Sequence, residues 1–372
     1  MPVLSGESKP PCANNTVTEF LYILFSFLPF MVCLVWLAVY TAELRVSPRP
    51  RRLLTLFALA CTVLYLCHAW FFMTENWEYG IVDAVYLFCN LSVYPLFYCY
   101  LAVLTMDKPF RGRIFLLLLP AAVLSVLAFL TDGSARVLDV ARAVFALEVV
   151  LVAVFGFMHL SAFDRAVRNY YSDTEGKNLY ATTVLLACFI AASLFSAVAN
   201  LIGREAFLHS PLLGIPSSIF SAVLFSLFYV SYKIDFWARD FEEEVREDDA
   251  RAVGTGPDSE YTALEEKIAA AMEDQKLYLR PGLKISDVAA AIGSNRTYVS
   301  NAINNAGGKS FADYVNSRRV EYAKNRMKEM TAEGEFAISD IAAESGFASF
   351  PSFYRAFTKY VGMSPSSWLK GL

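Results

Sequence analysis

The final third of this 372-residue chain contains no cysteine: all seven, at positions 12, 33, 61, 67, 89, 99 and 188, come earlier, and six of them lie in apolar stretches. They show neither metal-ligand spacing nor a paired extracellular framework, which argues against a zinc module and a disulfide scaffold alike. A cysteine-free C-terminal part fits a reducing cytoplasm. Catalytic signatures are missing too, with no phosphate-binding loop, no Cys/His metal set and no nucleophile motif. No enzyme activity, cofactor or metal is therefore expected. The polar N-terminus, Met1 to Thr18, lacks the basic region of a cleavable signal, and the apolar run from Phe20 to Tyr40 is too long for a signal core. That run reads as an uncleaved first membrane span.

Charge is scarce where apolar residues are dense. The chain is 56% hydrophobic and 18% charged, with a mean hydropathy of +0.41, and almost all of the apolar excess precedes Lys233. Crossing a bilayer core takes roughly 20 apolar residues as helix. Candidate spans lie at about 19–41, 53–73, 81–105, 114–131, 139–161, 180–202 and 213–234. Lipid offers no partner to a bare amide, so these spans must be helical. The expected fold is all-α: an external segment over 1–18, a seven-transmembrane-helix bundle over 19–234, an acidic cytoplasmic linker over 235–260 and a soluble domain over 261–372.

Basic residues orient the bundle, because loops rich in Lys and Arg stay in the cytoplasm. The first, third and fifth loops carry Arg45, Arg49, Arg51, Arg52, Lys108, Arg111, Arg113, Arg165, Arg168 and Lys177, whereas the other side offers only Lys9, Arg136 and Arg204. The N-terminus is thus expected outside and the C-terminus in the cytoplasm of a bacterial inner membrane. Polar residues within spans are costly and mark candidate sensing positions. They are His68, Asp83, Asn90, Glu148, His159 and Asn200, with Glu148, deep in the fifth span, the leading candidate. Tyr86, Tyr94 and Tyr98 fall on similar faces of the third span around Pro95, where they either pack the core or line a cavity.

The linker carries ten acidic and three basic residues between 235 and 260, and Gly254–Pro257 reads as a hinge. Its acid run, Glu242 to Asp249, is either a solvated spacer or a competitor for basic residues downstream.

Beyond Thr262 the pattern becomes that of soluble helices, beginning with an apolar stripe of Leu264, Ile268, Ala271 and Met272. Two related segments follow, Ile285–Gly293 (ISDVAAAIG) and Ile338–Gly346 (ISDIAAESG), 53 positions apart. Each reads as a short helix with Ser286 or Ser339 at its N-cap and glycine at its end. The copies stay in step past the turn: Val299 matches Phe353, Ile303 matches Phe357, Gly308 matches Gly362 and Ser310 matches Ser364. The duplication predicts two helix-turn-helix units, with a basic helix, Phe311 to Met330, between them. Residues 281–330 hold eight basic and four acidic side chains.

The run from Gly346 through Phe347, Phe353, Arg355, Phe357, Lys359, Tyr360 and Gly362 to Ser364–Pro365 resembles the C-terminal signature of the AraC/XylS family of bacterial transcription regulators, and the likeness covers about 262–371. It implies seven helices, two of which enter successive major-groove faces of one DNA site. Aligned with the family's reading positions are Arg296, Thr297, Ser300 and Asn301 in the first unit, and Ser349, Phe350, Ser352 and Arg355 in the second. Arg319, on the basic helix, is expected to contact phosphate. Asn301 departs from a long basic residue common in relatives, and Phe350–Pro351 from polar ones. The apolar first half does not resemble the family's usual soluble sugar-binding domain.

Together these features predict a membrane-anchored one-component regulator that senses a membrane or envelope signal. Its expected partners are double-stranded promoter DNA, the bilayer, a second copy of the chain in a homodimer, and RNA polymerase. Two alternatives stay open: a transporter or enzyme with a self-regulating DNA-binding domain, and a membrane scaffold whose helix-turn-helix units bind protein.

Overall fold

The computed structural model describes residues 15–42, 49–74, 78–105, 113–177, 180–202, 214–251, 261–305, 308–333 and 336–371. Residues 1–14 of the expected external segment 1–18, the connections carrying Arg45, Lys108, Arg111 and Arg204, the hinge Gly254–Pro257 and the side chain of Asn200 lie outside the described residues, while 15–18 form the start of the first helix. The chain divides into two units. The first comprises Met1–Leu160 and Tyr180–Phe236, and the second Ser161–Leu179 and Trp237–Leu372.

Every described apolar stretch is helical: α1 (Asn15–Ala42), α2 (Arg49–Thr74), α3 (Ile81–Thr105), a 3-10 turn (Arg113–Leu118) leading into α4 (Leu119–Leu130), α5 (Ala135–Tyr170), α6 (Tyr180–Ile202) and α7 (Gly214–Arg251). Five helices are long and apolar enough to cross a bilayer: Phe20–Ala42, Pro50–Thr74, Ile81–Thr105, Ala135–Tyr170 and Gly214–Ile234. Among the described residues, length and composition alone thus mark five spans where seven were expected. The apolar helices Phe115–Leu130 and Tyr180–Phe195 are shorter. The fourth is shortened as α-helix because its first turns wind as 3-10, with Pro120 in the first turn of α4.

The first unit packs through aromatic rings. Trp36, Tyr40, Phe57, Phe97 and Phe228 are buried, and Phe57 lies 5.2 Å from Phe97 and 5.4 Å from Phe228, centroid to centroid. Buried hydroxyls find acceptors as burial demands: Tyr40 donates to the Phe228 carbonyl at 2.8 Å, and Tyr94 donates to Ser193. Outward faces stay apolar, with Leu119, Val123, Val126 and Leu130 on α4 and Leu147, Val150, Leu151 and Val154 on α5 exposed. Such a surface is costly in water and suits lipid. Six cysteines in this unit are free thiols.

In the second unit, α8 (Tyr261–Asp274), a 3-10 turn (Leu277–Leu279), α9 (Ile285–Ala291), α10 (Arg296–Asn305), α11 (Phe311–Glu333), α12 (Ile338–Glu344), α13 (Phe350–Val361) and α14 (Pro365–Leu369) follow in order. The C-terminal segment thus carries the seven α-helices the resemblance implies. The stripe Leu264, Ile268, Ala271 and Met272 is buried, as are the matched pairs Val299 with Phe353 and Ile303 with Phe357. Gly308 and Gly362 take left-handed φ of 64° and 82°. Ser310 and Ser364 each accept a backbone bond three residues on, from Asp313 and Ser367, both at 3.1 Å. The helix starts differ from expectation. α9 and α12 begin at Ile285 and Ile338, so Lys284 and Ala337 occupy the N-cap positions in place of Ser286 and Ser339. In the first copy Asp287 satisfies the amide of Lys284 at 2.8 Å, which fixes the start two residues earlier.

Candidate nucleic-acid interface

Each helix-turn-helix unit presents its second helix. In the first, Asn295 accepts the Thr297 amide at 2.7 Å and starts α10. Val299, Ala302 and Ile303 face inward, which turns Thr297 and Asn301 to the exposed side. Ser300 accepts from Asn304 at 3.3 Å. The Arg296 guanidinium lies 5.8 Å from the Tyr170 ring. These four residues therefore share one end of one helix, as the sequence implied.

In the second, Ser349 caps α13 by accepting the Ser352 amide at 3.2 Å, and Pro351 fits the first turn, where no amide is needed. Phe353, Ala356 and Phe357 pack inward, leaving Phe350 and Arg355 exposed and Ser352 half-buried. The ring of Phe350 stays 6.0 Å from that of Phe353, so it continues the core outward.

Arg319 is the correction. It is fully buried. Its Nε donates to the Tyr278 carbonyl at 2.6 Å, and its terminal nitrogens donate to the Arg280 carbonyl at 2.7 Å, to Asn316 at 3.2 Å and to Ser172 at 3.3 Å. Burial pulls its pKa down to about 10, so it remains charged at neutral pH. A guanidinium spent on four internal acceptors is a structural staple and has no donor directed at DNA phosphate. Neighbouring cations on α11 are paired as well: Arg318 with Glu273 at 3.5 Å, Lys324 with Glu321 at 2.8 Å, and Arg326 with Glu329 and Glu344 at 3.1 and 3.2 Å.

Sequence reasoning counted only the basic residues of the loop after α5 and missed its acids. Glu175 accepts hydrogen bonds from Ser349 and, at 2.9 Å, from Ser352, and forms an ion pair with Arg355 at 3.2 Å. The Ser352 hydroxyl is shared with Asp173 at 3.1 Å. The two serine hydroxyls, with Arg355 adding charge, hold the Glu175 carboxyl below the usual carboxylate range. The loop is stitched in place by backbone-level bonds, Ser172 N to Leu283 O at 3.0 Å and Asn316 to the Ser172 carbonyl at 3.0 Å. The acid run on the extension of α7 also finds partners in this unit: Glu244 pairs with Tyr171 and Lys284, and Asp248 accepts from Tyr170. These three partners lie at the C-terminal end of α5 and immediately before α9.

In the first unit, the Glu148 Oε2 is buried without a hydrogen-bond partner among the described residues. Two other in-span polar groups are satisfied locally: Asp83 accepts the Gly80 amide at 3.1 Å, and His159 lies 3.3 Å from the Tyr98 hydroxyl. Among the described residues no cluster of His, Cys, Asp and Glu could hold a metal.

Residues 276–371 match the model of a helix-turn-helix domain family. The chain is 32% identical over 88 residues to the melibiose operon regulatory protein of Escherichia coli, covering 24% of this chain and 28% of that protein. It is 33% identical over 84 residues to the TCP pilus virulence regulatory protein of Vibrio cholerae, covering 23% and 29%. An HTH-type transcriptional regulator of Staphylococcus aureus is 28% identical over 93 residues, covering 25% and 12%. No solved structure matches the chain. These relatives are regulators and not enzymes, and the chain spans less than a third of the length of each. The C-terminal part of this chain therefore carries an AraC-type helix-turn-helix domain, homologous to transcription regulators.

Proposed function

We propose that this protein is a membrane-anchored one-component transcription regulator, with a sensing bundle of seven crossings and a cytoplasmic C-terminal domain that binds promoter DNA. The observation that carries the reading is the bonding of Ser172 to Asn316 and Arg319. No bilayer can lie between hydrogen-bonded groups, so the loop after α5 shares a compartment with the DNA-binding domain. Between that loop and Trp237 the chain passes through α6 and α7, and two crossings return it to the same side. With the N-terminus outside, α4 must cross as well for the loop to be cytoplasmic. The short α4 and the 23-residue α6 then count as spans, and a locally thinned bilayer accommodates α4.

On this reading Arg296, Thr297, Ser300 and Asn301 read one major-groove face, and Ser349, Phe350, Ser352 and Arg355 the next. Glu148, an unpaired carboxyl within a span, is the candidate sensing residue. Two copies of the chain in one membrane raise each other's effective concentration at paired sites, which supports a homodimer on DNA.

Reporter fusions test the topology. Fusions at Asp132–Ser134 and after Arg251 should report opposite compartments. A cytoplasmic signal from the Asp132–Ser134 fusion would reduce the crossings to five and remove this reading.

A further inference from the structure

The reading face of α13 has two suitors. DNA phosphate seeks hydroxyl and guanidinium donors at a helix N-terminus. Ser349, Ser352 and Arg355 supply them, and all three are engaged by Glu175. A carboxylate offers these donors the same kind of anionic oxygen that a phosphate does. Asp173 adds a second negative charge at Ser352.

We propose that this face is a docking surface for the acidic loop Asp173–Glu175 of the same chain, and that loop and promoter DNA compete for it. The argument rests on the reading of α13 as a DNA-contacting helix. The loop directly follows α5, which runs unbroken from Ala135 to Tyr170, so any signal that shifts or rotates that span reaches the loop through rigid helix. Because the loop is tethered, its effective concentration is of millimolar order. Even a weak contact then competes with DNA. The first copy differs, since its α10 carries no carboxylate against Thr297 or Asn301 among the described residues.

The test is promoter affinity of the full chain in lipid nanodiscs. Glu175→Gln with Asp173→Asn should tighten binding roughly three- to tenfold, the gain from removing a tethered competitor. Glu321→Gln, an exposed acid on α11 that pairs with Lys324, serves as the charge control and should leave affinity unchanged. A Glu175→Cys, Ser349→Cys disulfide should weaken binding until reductant is added. Equal affinity for the native and neutralised chains, or tight binding by the cross-linked one, would overturn the proposal. If no variant binds any promoter region, the proposed function itself fails.

A separate observation carries a second inference. A cavity of about 160 Å³ lies within the first unit, lined from α1, α2, α3, α5, α6 and α7. Tyr94, Phe145 and Phe189 give it an aromatic wall. The wall serines are already spent, Ser26 on the Tyr22 carbonyl at 2.8 Å and Ser193 on the Phe189 carbonyl at 2.6 Å. Tyr65 and Asn90 also line it. An apolar cavity of roughly 150 Å³ admits benzene.

We infer that this cavity binds a compact, neutral, single-ring molecule carrying one hydroxyl or carbonyl, with the ring against the aromatic wall and the polar atom on Asn90. It deepens the proposed sensing role. In ¹⁹F NMR of the full chain in nanodiscs, 4-fluorophenol should broaden beyond its value in protein-free discs and bind roughly two- to tenfold tighter than fluorobenzene. Asn90→Leu should abolish that preference and spare fluorobenzene. Equal broadening of both probes, or no change in Asn90→Leu, would overturn the inference. Neither readout involves DNA, so it is independent of the regulatory reading.

Discussion

The two helix-turn-helix copies share an interior and differ at their surfaces. Val299 and Ile303 in one occupy the buried sites of Phe353 and Phe357 in the other, and the turn glycines and serine caps coincide. What differs is the company each keeps. α10 opens with exposed polar residues, while α13 opens with Phe350 against its own core and three donors held by Glu175. On a duplicated scaffold the two second helices thus keep different company, Arg296 near the Tyr170 ring in one and the Glu175 carboxylate on Ser349, Ser352 and Arg355 in the other.

The largest expected effect comes from a residue that serves both copies. Arg319 ties α11 to the Tyr278 and Arg280 carbonyls ahead of the first copy and sits 5.5 Å over the Phe347 ring at the turn of the second. Arg319→Ala leaves buried carbonyls unpaired at about 1–3 kcal/mol each. The variant should lose most of the C-terminal unit's stability, seen as a large drop in denaturant midpoint. A stable variant with merely weaker DNA affinity would restore Arg319 to the surface.

The turn glycines sharpen the contrast next. Gly346 has φ +80°, and an added Cβ would meet the Leu279 carbonyl oxygen at 2.5 Å, whereas Gly293, at φ +63°, has nothing within 4 Å. Gly293→Ala should cost only the left-handed strain, about 1–2 kcal/mol. Gly346→Ala should cost distinctly more, because backbone must move. Equal midpoints in urea would mean that the turns are equivalent.

The serine caps should behave alike. Ser310→Ala and Ser364→Ala each remove one helix-start acceptor, worth about 1 kcal/mol, and thermal melts should shift equally.

The smallest effect concerns pH. Asp313, at the start of α11, accepts from Lys359 at 2.5 Å and from Tyr360 at 2.8 Å on α13. Burial alone would raise its pKa, but these bonds outweigh it and the group is lowered. A lowered acid contributes stability that is present above its unfolded value, about 3.9, and lost as pH falls through the lower folded value. Asp313→Asn should therefore flatten the stability profile below pH 4 and leave its slope between pH 6 and 8 unchanged.

Much of this organisation was legible in the sequence. The repeat located both turns, because glycine and apolar supports recur wherever the backbone geometry does. The apolar stretches located the helices of the first unit, but hydropathy alone could not show that the fourth starts as a 3-10 turn. Arg319 was misread as surface because its helix is basic. Its spacing, four after Val315 and four before Ala323, both buried, put it on the inner face, and that signal went unused. The Asp173–Glu175 contact was out of reach, since it joins residues 174 to 179 positions apart and no local pattern encodes such pairing.

We propose, centrally, that both helix-turn-helix units contact DNA on adjacent major-groove faces and that the Asp173–Glu175 loop competes for the second. Hydroxyl-radical footprinting of a promoter by the full chain in nanodiscs tests it directly. The account predicts protection over two adjacent major-groove faces of one duplex. Arg296→Ala and Asn301→Ala should erase one face, and neutralising Asp173 and Glu175 should strengthen the other. A folded, membrane-inserted chain that protects no sequence, or protects one face that is indifferent to these residues, would contradict it.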